Sequence, residues 1–408
     1  MLPDSKESRL LRWQDGETPG PWQVVAFPTN RCNLRCGICW QRWVEKKLGA
    51  LDHSHEMSDD RWLRLVDEAA ELGVQEWSIG GGGDPLVRMD LVMRMCARIR
   101  EQGMNGGIFT NGTLFKKEHL QRLIEIGWER IDFSLDGPTA EINDAIRSEG
   151  SFERATANMR LLVDLRRKMG RERPIIDIHT VLTRLNVDKL DAMLDIAAEM
   201  APCQFGVSRL QEQSDLSIQL ALTEEQQQAL PSLLAHVSER GATMGVTSNA
   251  RALFFAETGR NAPVRQPVPG WKRTHIMESA CFEPWLTATV LPQGYVGPCC
   301  AFWDETAETL HKMSLAEAWT GAYLRSLRLR TLAGDLPDYC QWCPSHFIWL
   351  TEEIRNRTMA LEKQRLESLP AGARLRGRIR RLHVMARLGG WRNVLRRAWE
   401  WVLTRLRG

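Results

Sequence analysis

The sequence predicts a parallel α/β unit over residues 21–210, followed by a small cysteine-bearing module and a basic helical tail. Six short β-rich runs recur in the first 210 residues, and five segments of helical period separate them. That alternation builds a parallel sheet covered by helices. The cysteines are the other observation: Cys32, Cys36 and Cys39 form one group, and Cys281, Cys299, Cys300, Cys340 and Cys343 a second. A sheet of this kind, open or closed as a barrel, gathers its ligands at the carboxyl ends of its strands.

The runs are Val24-Val25-Ala26-Phe27, Glu76-Trp77-Ser78-Ile79, Gly107-Ile108-Phe109-Thr110, Ile131-Asp132-Phe133-Ser134-Leu135, Ile175 to Val181, and Phe205-Gly206-Val207-Ser208. Amphipathic stretches lie near 58–72, 89–102, 116–126, 152–168 and 188–200. Ser58 ahead of Asp59 and Asp60 is an N-cap with acids in the first turn, and Gly73 and Gly103 stand where helices stop. After Arg209 the pattern weakens. Residues 211–280 are a connecting segment, Gln-rich and helical at first, then loop-like from Asn261 to Gly270. Residues 1–20 read as an N-terminal extension, 281–350 as the second cysteine-bearing unit and 351–408 as a helical tail. There is no internal repeat or low-complexity tract.

Of 408 residues, 43% are hydrophobic and 26% charged, the balance of a soluble globular protein and not of a disordered one. No window approaches the roughly eighteen apolar residues of a membrane span, and Met1 to Trp13 is too charged for a secretory signal. A cytoplasmic location is the expectation, with reduced thiols available for metal or redox chemistry. The net charge of +3 is uneven: residues 371–408 hold eleven Arg against one acid, Glu400, which puts +10 on the tail and leaves −7 on the rest.

The stretch Arg31-Cys32-Asn33-Leu34-Arg35-Cys36-Gly37-Ile38-Cys39-Trp40 follows the first strand directly. Its Cys-x3-Cys-x2-Cys spacing offers three thiolates from one loop. On a four-iron cluster, three thiolates leave one iron open, as a catalytic metal position requires. A zinc ion completed by His53 or His55 is the other reading of the same spacing.

The loop resembles the signature of the radical S-adenosylmethionine (radical SAM) family. Gly82-Gly83-Asp84-Pro85 resembles that family's Gly-Gly-Glu-Pro element, with Asp84 for the usual Glu. Thr110-Asn111-Gly112 and Ser134-Leu135-Asp136-Gly137 end the third and fourth strands. The resemblance covers about 21–210 and implies a partial (β/α)6 barrel. It implies that Cys32, Cys36 and Cys39 hold a [4Fe-4S] cluster whose open iron is chelated by SAM. Reductive cleavage of SAM would then yield a 5′-deoxyadenosyl radical that takes hydrogen from an unactivated C–H. By position, Gly82 and Gly83 meet the SAM amino group and Ser134 and Asp136 the ribose, with Asp84 and Asn111 in the same set. Arg147 is a candidate for the SAM carboxylate and equally for a surface ion pair. The family often has an aromatic residue just before the third cysteine; Ile38 stands there, and Trp40, which follows the cysteine, joins the cofactor-binding set.

The second cysteine group spans 63 residues. Apolar runs between Trp285 and Pro298 flank a turn at Pro292-Gln293-Gly294, which predicts a β-hairpin returning Cys299 towards Cys281. A helix from about Ser314 to Leu329 leads on to Cys340 and Cys343. Four thiolates close a tetrahedral zinc site or fully ligate an iron–sulfur cubane, and the spacing alone does not choose. The segment is similar to the SPASM and shortened twitch extensions of radical SAM enzymes, which implies one auxiliary [4Fe-4S] cluster on Cys281, Cys299, Cys340 and Cys343. Cys300 is left over, as a packing thiol or as a hydrogen-atom donor to a substrate radical. Cys96 and Cys203 read as core residues.

The resemblance implies a radical SAM oxidoreductase or epimerase acting on a small molecule of carbohydrate or cyclitol type. A flavodoxin- or ferredoxin-type protein is its implied electron donor. His179 and Arg209, near the ends of strands five and six, are the acid–base candidates. Peptide maturation, by thioether or carbon–carbon crosslinks, is the alternative. A non-catalytic iron–sulfur or zinc protein is the alternative of another class, and it leaves the strand-end motifs without a purpose. Nothing pairs a basic groove with a stacking platform, so no nucleic-acid partner is expected. In the tail, Trp391, Leu395, Ala398, Trp399, Val402 and Leu406 form an apolar stripe with Arg392, Arg396 and Arg407 largely off it. Such a helix either lies on the inner face of a membrane, with a glycolipid or polyprenyl-linked sugar as substrate, or docks on the acidic body.

Overall fold

The computed structural model describes residues 3–48, 53–212, 214–258, 276–343 and 345–368; the tail stripe and the loop from Asn261 to Gly270 lie outside them. Helix α1 (Lys6–Gln14) precedes the alternation β1 (Gln23–Ala26), α2 (Trp40–Leu48), α3 (Asp59–Glu71), β2 (Glu76–Ile79), α4 (Met89–Glu101), β3 (Asn105–Thr110), α5 (Lys117–Glu125), β4 (Arg130–Ser134), α6 (Ala140–Ile146), α7 (Ser151–Met169), β5 (Ile175–Leu182), α8 (Leu190–Glu199) and β6 (Cys203–Arg209). Then come α9 (Asp215–Gln219), α10 (Glu224–Thr243), β7 (Thr247–Ser248), α11 (Ala250–Thr258), α12 (Glu283–Leu286), β8 (Thr287–Val290), β9 (Val296–Gly297), α13 (Leu315–Trp319), α14 (Ala322–Ala333) and α15 (Ser345–Ser368).

The described strands form one sheet in the order β7-β6-β5-β4-β3-β2-β1-β8-β9, the parallel core of a partial barrel. Every neighbouring pair is parallel except β8 with β9. One face of each strand is closed by helices. Ile79, Ile108, Ile131, Phe133, Ile176, Ile178 and Phe205 are fully buried there against Leu65, Val92, Leu123, Met159 and Leu194. Removing one such side chain from water contributes about 1.5–3 kcal/mol. The other face carries Ser78, Asp132, Asp177, His179 and Ser208. A central parallel sheet is ordinarily apolar on both sides, so this polarity marks the inner face as a lining and not a packed core.

Local chemistry accounts for the helix ends. Ser58 accepts a hydrogen bond from the Arg61 amide, and Gly73 and Gly103 take the left-handed φ of +73° and +76° just past α3 and α4. The predicted hairpin forms, with Thr289 opposite Gly297 and Val290 opposite Val296. Its strand β8 also pairs with β1, from Gln23 with Thr287 to Ala26 with Val290. The helix expected from Ser314 to Leu329 is two helices, because Gly321 (φ −65°, ψ 176°) is extended and stops the first. The N-terminal segment is built into the fold. Ser5 caps α1, and buried Arg9 donates to the carbonyls of Pro21 (2.7 Å), Gly20 (3.1 Å) and Gly73. Helix α1 packs on α12 and α15, and the Arg328 guanidinium is held 4.6 Å and 4.4 Å from the Trp13 and Trp319 rings.

Candidate active site

The carboxyl ends of β1 to β6 enclose a cavity of about 820 Å3. Cys32, Cys36, Cys39 and Trp40 reach it from the loop after β1, and Gly82, Gly83 and Asp84 from the loop after β2. Asn111, Ser134 and Arg209 line it from the ends of later strands, and Arg147 from the end of α6.

The cysteine loop is pinned from three sides. Helix α2 starts directly after Cys39, whose amide donates to the Cys36 carbonyl (3.1 Å). The buried Gln41 amide donates to the carbonyls of Asn30 (2.7 Å) and Gly82 (3.0 Å), which ties this loop to the glycine loop. Asn111 donates to Asn33 (2.9 Å), and Asn33 in turn to Thr113 (2.9 Å). On the far side the Ser214 hydroxyl donates to the Gly37 carbonyl (2.7 Å), and Leu216 of α9 fills the space a side chain on Gly37 would need.

Asp84 is a bracket within this wall. Its carboxylate, 3% exposed, accepts from the Thr110 hydroxyl (2.9 Å) and from the amides of Asn111 (2.8 Å) and Leu86 (3.0 Å). Burial pushes its carboxyl up, and those three donors oppose the shift. Asp84→Ala would leave several buried donors unpaired, at about 1–3 kcal/mol apiece. The expected loss of unfolding free energy is about 2–4 kcal/mol in denaturant melts, with partial recovery in Asp84→Asn; a loss too small to measure would remove the bracketing role.

Arg147 and Asp136 form one unit. Asp136 is wholly buried and does not line the cavity: one carboxylate oxygen stands 2.7 Å from Arg147 Nε, and the other accepts from the Val181 amide (2.7 Å). Its carboxylate is therefore engaged by Arg147 and the Val181 amide. Arg147 just follows α6 and is the group presented to the cavity, which makes its ion pair internal and not a surface one. His179 stands on the inner face just beneath the cavity, with Nε2 3.0 Å from the Ser208 hydroxyl, while Ser208 and Arg209 line the cavity. Cys300 is exposed and off the cavity; Cys343 lines it instead.

The ten cysteines form no disulfide with one another. Burial pushes the Cys39 thiol up to about 11, and raises Cys32 and Cys36 as well, with neighbouring thiols of the set adding to Cys32 and Cys39 and the Asp136 carboxylate adding to Cys36. Thiols held neutral in this way ionise in place once a metal centre supplies the opposing charge. Three such thiols facing one cavity, beside a glycine lip, fit a cluster held from one side only. His53 and His55, the histidines of the zinc reading, are turned towards Glu56 (3.5 Å) and the Ser54 hydroxyl (2.7 Å). In the second group burial lifts Cys281 and Cys299 well above the ordinary thiol range, and the Cys340 and Cys343 thiols add to Cys281. The Glu283 amide donates to Cys281 Sγ (3.4 Å). Among the described residues no three or more His, Cys, Asp or Glu side chains stand at the spacing of a single metal ion.

Sequence reasoning missed the supports. Gln41, Asn33 and Glu56, which accepts from Thr29 (2.9 Å) and the Asn30 amide (2.8 Å), position the loop without belonging to any spacing pattern. It also missed Trp303, half exposed and edge-on to Trp40 with centroids 5.2 Å apart.

The family model of the radical SAM superfamily matches residues 27–197, and that of an iron–sulfur cluster-binding domain, SPASM, matches residues 281–344. The PqqA peptide cyclase of Granulibacter bethesdensis is 26% identical over 313 residues, 74% of each chain. The Fe-coproporphyrin III synthase of Methanosarcina barkeri is 31% identical over 199 residues, 48% of this chain and 45% of that protein. Among solved structures, Streptococcus suis SuiB bound to its precursor peptide SuiA has a TM-score of 0.61 at 16% identity, covering 83% of this chain and 72% of that one.

Proposed function

Because the chain belongs to the radical SAM superfamily and carries a C-terminal iron–sulfur cluster-binding domain, it is an enzyme of that class, and we propose that its substrate is a peptide, which it crosslinks through carbon–carbon or thioether bonds. The observation that carries this reading is the likeness to PqqA peptide cyclase, which runs over 313 residues and so extends well beyond the barrel. The carbohydrate or cyclitol substrate expected from the sequence has no counterpart in that relative, and the peptide alternative replaces it. No described helix is long and apolar enough to cross a membrane.

Each residue has a physical role in this reading. Cys32, Cys36 and Cys39 would hold the first [4Fe-4S] cluster, and Cys281, Cys299, Cys340 and Cys343 the auxiliary one. When bound, the first cluster and SAM supply a 5′-deoxyadenosyl radical able to take hydrogen from an unactivated C–H. Arg147, kept in place by Asp136, offers a guanidinium to the SAM carboxylate. Gly82 and Gly83 admit the amino end close to backbone, and Ser134 is placed for a ribose hydroxyl. Trp40, with Trp303 edge-on to it, gives the cavity an apolar wall that suits a side chain and excludes water. Arg209 on the rim would meet peptide carbonyls or an acidic residue.

The test is an anaerobic incubation of reconstituted protein with SAM, dithionite and candidate precursor peptides drawn from short open reading frames near its gene. The expected products are 5′-deoxyadenosine and a peptide lighter by two hydrogens per new bond. Turnover confined to an added sugar, with the peptide unchanged, would overturn the proposal.

A further inference from the structure

A column of polar side chains runs down the inner face of the barrel beneath the cavity. Ser134 and His179 are register partners on β4 and β5, and two residues earlier so are Asp132 and Asp177. Arg130 Nε donates to an Asp132 oxygen at 2.9 Å, Asp132 is 4% exposed, and a buried oxygen of Asp177 has no hydrogen-bond partner. At the upper end His179 Nε2 is 3.0 Å from Ser208 Oγ, which lines the cavity. The lower end reaches solvent: the Arg130 side chain is 33% exposed, and Glu76 of β2, which faces it, is 42% exposed and 3.2 Å from Lys6. Glycines on the flanking strands leave room for the column. A Cβ on Gly107 would stand 3.0 Å from Asp132 Oδ2, and one on Gly206 3.0 Å from His179 Nδ1.

One guanidinium faces two buried carboxyls, so a charge is left over, and the cheapest way to remove it is a proton held between them. Burial raises both acids, Asp132 to about 7, with Arg130 opposing and the neighbouring acid adding to Asp132. The other titratable groups facing the pair are His179 on β5, Glu76 on β2 and Cys203 at the start of β6. A purely structural ion pair needs Arg130 and Asp132; it has no use for Asp177 or for continuity with the cavity.

We propose that this column is a proton path, which takes the proton a substrate gives up on crosslinking, at Ser208 and His179, and passes it through Asp177 and Asp132 to the amino-terminal mouth of the barrel. The proposal rests on the crosslinking reading above. Each new bond removes two hydrogens from the peptide. One leaves as a hydrogen atom to the deoxyadenosyl group; the other leaves as a proton, its electron going to the auxiliary iron–sulfur centre. Only the proton enters the column. Ser208 Oγ gives its own proton to His179 Nε2 as it receives the substrate's, His179 passes one to Asp177 across the gap left by Gly206, where a Cβ would lie 3.0 Å from His179 Nδ1 and 3.6 Å from Asp177 Oδ1, and the proton shared by the two acids moves out past Arg130 and Glu76.

Asp132→Asn and Asp177→Asn are expected to keep forming 5′-deoxyadenosine while crosslinked product per deoxyadenosine falls roughly ten- to hundredfold, the lower range of acid–base catalysis. A second readout needs no cofactor. A carboxyl raised on folding stabilises fully below its unfolded value near 4 and ceases to do so as pH rises through about 7. The wild-type melting temperature should therefore fall across that window along with a protonated-carboxyl infrared band, and Asp132→Asn should lose both. Wild-type coupling together with a wild-type melting slope in the asparagine variants overturns the path. Should those variants fail to fold, Ser208→Ala breaks the column at its upper end: loss of crosslinking with the infrared band retained supports the path, and wild-type coupling refutes it. If the wild-type protein crosslinks no peptide, the functional reading fails, whereas absence of the infrared band fails the acid pair itself.

Discussion

Replacing any one of Cys32, Cys36 or Cys39 by Ala is expected to reduce 5′-deoxyadenosine formation to background. The three thiols come from one loop, face one cavity and have no fourth cysteine of the same loop to substitute for a missing member. The loop's shape does not depend on the thiols, because Gln41, Asn33 and Ser214 fix it through amides, carbonyls and hydroxyls. The variants should therefore fold, and the triple Ala variant should remain brown. Its iron should drop from about eight to about four per chain, held by the C-terminal cysteines. A colourless but folded triple variant would remove the auxiliary cluster, and full turnover by any single variant would remove the first.

Gly83→Ala carries the other large effect. A Cβ there would lie 1.9 Å from the Arg31 carbonyl oxygen, 2.4 Å from its carbon and 2.6 Å from that of Asn30. All three are backbone atoms, so no side chain can swing aside. The same contact holds the clasp between the two loops, in which the amides of Gly83 and Asp84 donate to the carbonyls of Thr29 and Arg31 at 2.9 Å each. Alanine must part the loops that form the cavity wall. SAM affinity measured by equilibrium dialysis should weaken at least about a hundredfold, some 2.7 kcal/mol. Gly103→Ala is the control: its φ of +76° makes a side chain unfavourable by roughly 1 kcal/mol, yet nothing lies within 4 Å, and SAM binding should not change. Near-normal SAM affinity in Gly83→Ala would mean the lip is not part of the cofactor site.

How much of this was legible in the sequence follows from the range of each interaction. Strands, strand-end motifs, the Ser58 cap and the 292–294 turn depend on neighbours a few residues apart, and the structure has them where the sequence indicates. Helix α2 was not anticipated because its first residues belong to the cysteine loop and carry no polar cap of their own. The break at Gly321 was hidden inside a stretch whose composition reads as continuous helix. The roles of Asp136, Asp132 and Asp177 depend on register: which residue of a strand looks inward, and what stands beside it on the next strand, is decided by pairings up to 45 residues away. Asp136 stands just past β4 in a motif, but its partners, Arg147 and the Val181 amide, lie 11 and 45 residues further along the chain.

The pairing of β8 with β1 has a consequence for how the molecule can be cut or can move. A domain joined by a linker can swing, and the gap between two redox centres then fluctuates with it. Here the hairpin between Cys281 and Cys299 is hydrogen-bonded, rung by rung, to the strand that leads into the first group, with the Trp22 and Phe27 amides donating to Leu286 (2.7 Å) and Val290 (2.9 Å) at either end. The tunnelling distance between the two cysteine groups is thereby set by ladder register and not by tether length. Excision of the C-terminal module would bare the β1 edge beside the loop that carries Cys32, an open template for intermolecular pairing. The barrel and its appendage are, in mechanical terms, a single girder.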